Sequence, residues 1–264
     1  MITIAELSIN PIAVEKKVED FIKTSLKKAH LMRTVIAVSG GVDSAVALAA
    51  TVGSLGSSKV SAITLPESDI TPMADIKDVM QLCDRFKVTC EQVDITPMLH
   101  VIWRNIPTYD SEARVSNGNL KARLRMALTY YYANTRNALV IGTSNKTELH
   151  LGYFTKYGDG GVDIMPFADL YKCQVRQFGK HLDIPEGIVN KPASPRLWAG
   201  HETEKEIGLD YDSLDLIVYA HAEGLDNASV AEETGLPKAQ VDRIISMITA
   251  SEHKRRLPAI LKLS

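Results

Sequence analysis

Residues 35–46 read VIAVSGGVDSAV, a short β-branched run that is broken by two glycines and then continues as an apolar helical pattern. This order predicts a strand, a tight loop and a helix. The glycines allow a positive φ and a close approach of the backbone to an anion, and the first turn of the helix offers N–H groups and a positive partial charge. Ser39 and Ser44 add hydroxyl groups. We therefore interpret residues 39–44 as a phosphate-binding loop.

The carboxylate of Asp43 lies inside this loop. It would repel bound phosphates unless a divalent cation lay between them, so the loop itself indicates magnesium. The loop differs from the G-x-x-x-x-G-K-[ST] pattern, because Asp43 stands where that pattern has lysine. A Gly-Gly pair alone more often marks a plain strand-to-helix turn. The combination of Ser, Gly-Gly, Asp and Ser after a buried strand favours the binding function.

The rest of the chain alternates between strand and helix patterns. Strands are predicted at 59–65, 88–93 and 139–142, and helices at 11–30, from 45, at 72–86, 96–103, 120–131, 213–223, 228–234 and 237–256. We also predict a turn at 117–119 and helix N-caps at Thr71 and Asp169. Alternation of this kind predicts an α/β fold, a three-layer, Rossmann-like parallel sheet with helices on both faces and a helical C-terminal segment, as one domain over residues 1–264.

Ligands of such sheets bind beyond the carboxyl ends of the strands. The loop after Val38 and the small-residue turn after Gly142 are therefore expected to share one site. Asp43 and Glu148, one from each loop, would hold magnesium between them, and Lys156 and Lys172 would neutralise phosphate oxygens. Residues 154–163 are too rich in Gly, Lys and Asp for a core element, which predicts a functional or disordered loop.

Composition and charge argue against nucleic-acid-binding and membrane functions. The chain has 264 residues, 45% of them hydrophobic, and a net charge of −2, so it has no global basic field that would attract nucleic acid. No apolar run approaches the roughly 18 residues of a membrane span, and we expect no membrane partner. Cys83, Cys90 and Cys173 have no metal-ligand spacing and are predicted to be buried thiols in a reducing compartment. The expected location is the cytoplasm.

The loop at residues 39–44 resembles the pyrophosphate loop of the ATP pyrophosphatases, which cleave ATP between the α- and β-phosphates and adenylate a substrate. Residues 119–126, 142–148, 152–163 and 191–208 resemble the NAD synthetases in order and spacing. This resemblance covers nearly the whole chain and narrows the choice to the ammonia-dependent NAD synthetases. It implies a ligase that adenylates the carboxylate of deamido-NAD with ATP and then displaces AMP with ammonia, as the last step of NAD biosynthesis.

The resemblance also implies site residues. The catalytic residues would be Asp43, Glu148 and Lys172, of which Asp43 and Glu148 would hold Mg²⁺. ATP would contact Ala37, Val38, Ser39, Gly40, Gly41, Val42, Asp43, Ser44, Thr143, Lys172 and Ser194. Deamido-NAD would contact Arg123, Lys156, Asp163, His253 and Lys254. The chain departs from the pattern at Ala37, where the family often has Gly, and at Pro195 and His201-Glu202.

The resemblance further implies a homodimer. Glutamine-dependent relatives carry a fused amidohydrolase domain with a nucleophilic cysteine, and none of the three cysteines here has such a setting. Free ammonia is therefore the expected nitrogen donor, and a separate glutaminase subunit stays an alternative. Three other functions also stay open: an ATP pyrophosphatase with another acceptor, a nucleotide-binding sensor without turnover, and a DNA-binding protein that uses the helix–Gly–helix pattern at 229–245.

Overall fold

The computed structural model describes residues 1–263 and contains one parallel β-sheet. Within that range its strands are β1 (Arg33–Ala37), β2 (Val60–Thr64), β3 (Cys90–Gln92) and β4 (Ala138–Val140). Their order in the sheet is β3-β2-β1-β4. Val35 of β1 pairs with Ser61 on one side and with Val140 on the other. The chain thus extends the sheet first to one side of β1 and then to the other, and the switch point lies between β1 and β4.

Helices connect and cover the strands. The α-helices within the described range are α1 (Pro11–Ala29), α2 (Val42–Leu55), α3 (Met73–Arg85), α4 (Thr96–Arg104), α5 (Arg114–Arg136), α6 (Lys146–Leu151), α7 (Lys172–His181), α8 (Glu186–Val189), α9 (Thr203–Ile207), α10 (Tyr211–Ala222), α11 (Asn227–Thr234) and α12 (Lys238–Ala250). Short 3-10 helices are present at Ile4–Leu7, Ser57–Lys59 and Glu252–Lys254.

The sheet separates two apolar layers. Val35 and Ile36 are neighbours on β1 and are both fully buried, because successive side chains of a strand point to opposite faces. Ile36 packs in a core with α1, α2, α3 and α7, and Val35 packs with α4 and α5. The three-layer parallel fold predicted from the sequence is therefore confirmed.

The helical C-terminal segment forms a third apolar cluster. Val230, Val241 and Ile244 are fully buried in it together with α10 and the first residues of α7. Gly235 has a φ of +68° and ends α11. The apolar faces of the helix–Gly–helix pattern are thus used for packing within the chain.

Two predicted helix caps are wrong. α3 begins at Met73 with Pro72 as its N-cap, because the Thr71 hydroxyl instead accepts a hydrogen bond from the Glu67 N–H at 3.0 Å. α7 begins at Lys172 with Tyr171 as its N-cap. The carboxylate of Asp169 pairs with Lys146 at 2.9 Å rather than capping α7.

The turn predicted at residues 117–119 is also wrong, because these residues lie inside α5. A glycine within a helix costs about 1 kcal/mol relative to alanine, and here tertiary packing outweighs that cost. Gly118 is buried, and a Cβ atom at this position would lie 3.1 Å from Leu197 Cδ1. The missing side chain lets the loop at 191–203 approach α5.

Cys83 and Cys173 are buried thiols, as predicted. Cys90 is only half-buried, because β3 is an edge strand of the sheet. No helix within residues 1–263 combines the length and the apolar character needed to cross a membrane.

Candidate active site

The predicted phosphate-binding loop connects β1 to α2. Gly40 has a φ of +82°, and a Cβ atom there would lie 2.8 Å from the backbone oxygen of Asp75. The Ser44 hydroxyl accepts a hydrogen bond from the Ser39 N–H at 3.1 Å and donates one to the Gly41 carbonyl at 3.0 Å. These bonds fix the bend, and the N–H groups in the first turn of α2 face the space beyond β1, where an anion would bind.

Three charged side chains meet beside this loop. The Lys172 ammonium, only 2% exposed, contacts the Asp43 carboxylate and lies 3.4 Å from Glu148 Oε1. The side-chain amide of Asn145 donates a hydrogen bond to Asp43 Oδ1 at 2.8 Å. Asp43 follows β1, Glu148 follows β4 and Lys172 begins α7, so the switch point brings together the three residues that the sequence analysis named as catalytic.

Burial sets the electrostatics of this cluster. Burial, followed by repulsion from the Asp43 carboxylate, raises the pKa of Glu148 to about 7. Burial alone would lower the pKa of Lys172, but attraction to Asp43 and Glu148 outweighs it and raises that pKa. Lys172 is therefore a fixed positive charge at neutral pH, placed where negative phosphate oxygens would be stabilised.

A cavity of about 440 Å³ opens at this edge of the sheet. Every residue that the resemblance assigned to ATP lines it except Val38, whose side chain is buried in the core. Glu148 and Tyr211 line the same cavity. The predicted ATP residues are thus brought together in one space large enough for a ligand.

The loop at residues 191–203 lies over the phosphate-binding loop. The Lys191 ammonium contacts the Gly40 carbonyl at 2.9 Å and Asp75 Oδ1 at 3.0 Å, and Arg196 Nε donates to Asp75 Oδ2 at 2.8 Å. Asp75 is buried, whereas the Lys191 and Arg196 side chains are partly exposed, so these ion pairs are partly shielded from water. The Ser194 hydroxyl, a predicted ATP contact, donates to the His201 carbonyl within this loop.

Three of the residues assigned to deamido-NAD are connected to one another by hydrogen bonds, and the other two make separate contacts. Arg123 donates to the Lys156 carbonyl at 3.3 Å, and the Lys156 ammonium donates to the His253 carbonyl at 2.5 Å. Lys254 donates to the carbonyls of Gly152 and Phe154 at 2.7 and 3.0 Å and lines the cavity.

Asp163 has other hydrogen-bond partners than these four residues. Its carboxylate accepts from the Tyr130 hydroxyl at 3.0 Å and from the Val140 N–H at 2.7 Å. The surrounding segment, residues 154–163, contains neither a helix nor a strand, as predicted. Internal bonds hold it together, among them one from the Thr155 N–H to Asp159 Oδ1 at 2.8 Å.

No sequence pattern predicted a role in the site for Asp75, Lys191, Arg196 or Tyr211. Each of them reaches the site through a contact between distant parts of the chain, and a single sequence carries no signal for such contacts. The resemblance at residues 191–208 marked the correct segment, but it did not identify which side chains hold it. Within residues 1–263, no group of three or more His, Cys, Asp or Glu side chains could hold a metal ion.

Known proteins resemble this chain over nearly its whole length. A family model described as NAD synthase matches residues 14–258. The NH(3)-dependent NAD(+) synthetase of Staphylothermus marinus is 40% identical over 250 residues, which cover 94% of this chain and 90% of that protein. The enzyme of the same name from Hyperthermus butylicus is 44% identical over 246 residues, which cover 93% and 88%.

Structural similarity agrees with the sequence similarity. The structure of NMN synthetase from Francisella tularensis superimposes with a TM-score of 0.85 at 31% identity and covers 97% of this chain and 100% of that one. The family model spans far more than half of the chain, and the relatives exceed 30% identity at high coverage. This chain is a member of the NAD synthase family.

Proposed function

We propose that this protein converts deamido-NAD to NAD, using ATP and ammonia. The observation that carries this proposal is the convergence of Asp43, Glu148 and Lys172 beside the phosphate-binding loop of an NAD synthase family member. The enzyme would be a ligase that forms a carbon–nitrogen bond. Its relatives from Staphylothermus marinus and Hyperthermus butylicus carry the name NH(3)-dependent NAD(+) synthetase, which supports ammonia as the donor.

In the first half-reaction, a carboxylate oxygen of deamido-NAD attacks the α-phosphorus of ATP, and pyrophosphate leaves. In the second, ammonia attacks the adenylated carbonyl carbon, and AMP leaves. Both steps depend on alignment and on stabilisation of phosphate charge rather than on a strong base. Residues 37–44 would hold the phosphates through backbone N–H groups, with Thr143 and Ser194 as further ATP contacts. Lys172 would stabilise the negative charge that develops during adenylation.

The carboxylates of Asp43 and Glu148 fit a magnesium site. Both already face one cation, the Lys172 ammonium, and both line the cavity. Magnesium is usually held by one or two carboxylates together with substrate phosphates, so two protein ligands are sufficient. A bound Mg²⁺ ion would supply charge neutralisation for the triphosphate.

Deamido-NAD would contact Arg123, Lys156, Asp163, His253 and Lys254. Arg123, Lys156 and His253 are already connected by hydrogen bonds, which supports one shared binding region for them. We further propose one domain over residues 1–264 and a homodimer. The resemblance to the NAD synthetases supports the homodimer.

Free ammonia is the proposed nitrogen source. Burial raises the pKa of the Cys173 thiol far above its usual value, which makes it a poor nucleophile for glutamine hydrolysis. A separate glutaminase subunit would need only to deliver ammonia. Adding such a subunit would therefore change the source of the ammonia and leave the site described above unchanged.

The similarity to NMN synthetase favours one second candidate, amidation of the corresponding mononucleotide. Pyrophosphate release should be measured with ATP, Mg²⁺ and ammonium, with either deamido-NAD or nicotinic acid mononucleotide as the acceptor. The proposal predicts a kcat/KM that is higher for deamido-NAD. A preference for the mononucleotide would transfer the assignment to that substrate, and release with neither acceptor would reject both.

A further inference from the structure

Helix α10 lies against the first turns of the two helices that carry Glu148 and Lys172. It belongs to the C-terminal cluster rather than to the layers that cover the sheet. It nevertheless presents two polar side chains, Tyr211 and Asp215, to α6 and α7. These residues are four positions apart and therefore lie on the same face of α10.

Asp215 connects the two catalytic helices. Its side chain is fully buried. One carboxylate oxygen, Oδ2, accepts from the Cys173 N–H at 2.7 Å, and the other, Oδ1, accepts from the Lys172 N–H at 3.3 Å. The Thr147 hydroxyl donates to the same Oδ1 atom. One carboxylate is thus bonded to the residue before Glu148 and to the backbone of Lys172.

The carboxylate acts at the N-terminus of α7 beside a partial local cap. The N-cap of α7 is Tyr171, whose N–H donates to Gln174 Oε1 at 2.9 Å but whose side chain makes no capping hydrogen bond to the helix. The first N–H groups of a helix need acceptors, and a negative charge at that end is favourable. Asp215 supplies both from a different helix, so the position of α7 depends on α10.

Tyr211 acts on the functional ends of the same two side chains. Its hydroxyl donates to Glu148 Oε1 at 3.3 Å, and the Lys172 ammonium lies 4.8 Å from the centre of its ring. The side chain is only 1% exposed. Tyr211 thus contacts Glu148 and Lys172 at their charged ends, and Asp215 holds the backbone from which they project.

We propose that Asp215 and Tyr211 are positioning residues that fix the separation of Glu148 and Lys172 and thereby determine the rate of adenylation. The inference rests on the proposed function, because it assumes that these two residues act in the reaction. A buried carboxylate costs free energy of desolvation, and an apolar residue would pack in this cluster without that cost. Accepting hydrogen bonds from Thr147, Lys172 and Cys173 is the role that we assign to this carboxylate.

The test compares Asp215→Asn with Ile217→Ala, a matched control on the same helix whose side chain is also fully buried. The asparagine amide would place a donor against the backbone donors of α7. A displacement of about 1 Å in a catalytic group can cost roughly 100-fold in rate. We expect Asp215→Asn to lose about that factor in kcat for pyrophosphate formation, with the KM for ATP changed less than about threefold. Ile217→Ala should lower the melting temperature and keep kcat within about threefold of the wild type.

Thr147→Val and Tyr211→Phe provide milder variants in case Asp215→Asn does not fold. Each removes one hydroxyl group, and we expect a loss in kcat of about three- to tenfold for each, a free-energy effect typical of one hydrogen bond.

The wild-type protein is assayed first, so that the two proposals can fail separately. Wild-type protein that releases no pyrophosphate with deamido-NAD contradicts the proposed function. With an active wild type, the positioning role is overturned if Asp215→Asn, Thr147→Val and Tyr211→Phe keep kcat within twofold. It is also overturned if Ile217→Ala loses as much kcat as Asp215→Asn.

Discussion

Replacing Gly40 by alanine tests whether the backbone of the phosphate-binding loop is built as the structure describes. Gly40 has a φ of +82°, and an added Cβ atom would lie 2.8 Å from the backbone oxygen of Asp75. A left-handed conformation costs an L-residue roughly 1–2 kcal/mol. Overpacking against a backbone atom costs roughly 1–3 kcal/mol more. We therefore expect Gly40→Ala to lower the free energy of unfolding by about 3 kcal/mol, or roughly 6–12 °C in melting temperature for a chain of this size.

Gly41→Ala is the matched control. Gly41 has a φ of −91°, and the nearest atom to an added Cβ would be Ser39 Oγ at 3.6 Å, an ordinary contact. Gly41 is the N-cap of α2, where alanine is less favourable than glycine, so we expect a loss of at most about 1 kcal/mol. Thermal melting measures stability, and titration calorimetry with ATP and Mg²⁺ measures binding, which should weaken at least about tenfold in Gly40→Ala because Asp75 and the loop are pushed apart. Equal melting temperatures for the two variants would refute the described loop geometry.

Three further substitutions test other parts of the account. Asp43→Asn should fold and lose roughly 100-fold in kcat/KM for ATP, because a neutral amide is a weaker magnesium ligand and a poorer partner for Lys172; steady-state kinetics measure this. Asp94→Ala should cost about 1 kcal/mol at pH 7, because the Asp94 carboxylate accepts from the N–H of Thr96, the first residue of α4, at 2.9 Å. Burial acts to raise the pKa of Asp94, but hydrogen bonds from Ser68 and Thr96 hold that pKa at about 2. The stabilisation by Asp94 is therefore present above about pH 4 and is lost as the pH falls toward 2. Urea unfolding of the wild type and the variant at pH 7, 4 and 3 measures the difference. Asp75→Asn should weaken the contacts that hold the loop at 191–203 and should speed tryptic cleavage after Arg196 roughly tenfold. Mass spectrometry of the digest over time measures this rate.

Each of these expectations has a contradicting result. Wild-type turnover in Asp43→Asn would remove that residue from the metal site. A stability difference for Asp94→Ala that grows toward acid pH would contradict the sign of its pKa shift. Cleavage after Arg196 at the wild-type rate in Asp75→Asn would mean that the ion pairs with Asp75 do not restrain the loop.

The fold could be predicted because its signals are local. The run from Val35 to Val46 specifies strand, loop and helix through residue types alone, and β1 and α2 form from it, although α2 begins at Val42 rather than at residue 45. The convergence of Asp43 and Glu148 followed from a general property of parallel sheets, whose strand ends share one edge. The catalytic role of Lys172 came from the resemblance. These predictions needed no knowledge of which helices touch.

Predictions failed where distant packing decides the outcome. Glycine is a typical turn residue, but Gly118 lies within α5. Leu197 packs where a side chain at position 118 would lie. Asp169 has the position of an N-cap, but Lys146 binds its carboxylate. Local propensity is worth about 1 kcal/mol at such positions, and tertiary contacts of similar size reverse it.

The supporting residues of the site were missed for the same reason. Asp75 meets Lys191 and Arg196 across more than a hundred residues of sequence. In the sequence, Asp215 is one polar position in an apolar helix. Only the structure shows that its carboxylate contacts the first turn of α7. Residues that hold catalytic groups in place carry no motif of their own.

The central claim is that this protein forms the carboxamide of NAD from deamido-NAD and ammonia with cleavage of ATP to AMP and pyrophosphate. The most direct measurement combines the purified protein with ATP, Mg²⁺, deamido-NAD and ¹⁵N-labelled ammonium, followed by chromatography and mass spectrometry. The account predicts NAD that is one mass unit heavier and an equal amount of AMP. Formation of ADP in place of AMP, or an absence of labelled NAD while ATP is bound, would contradict it.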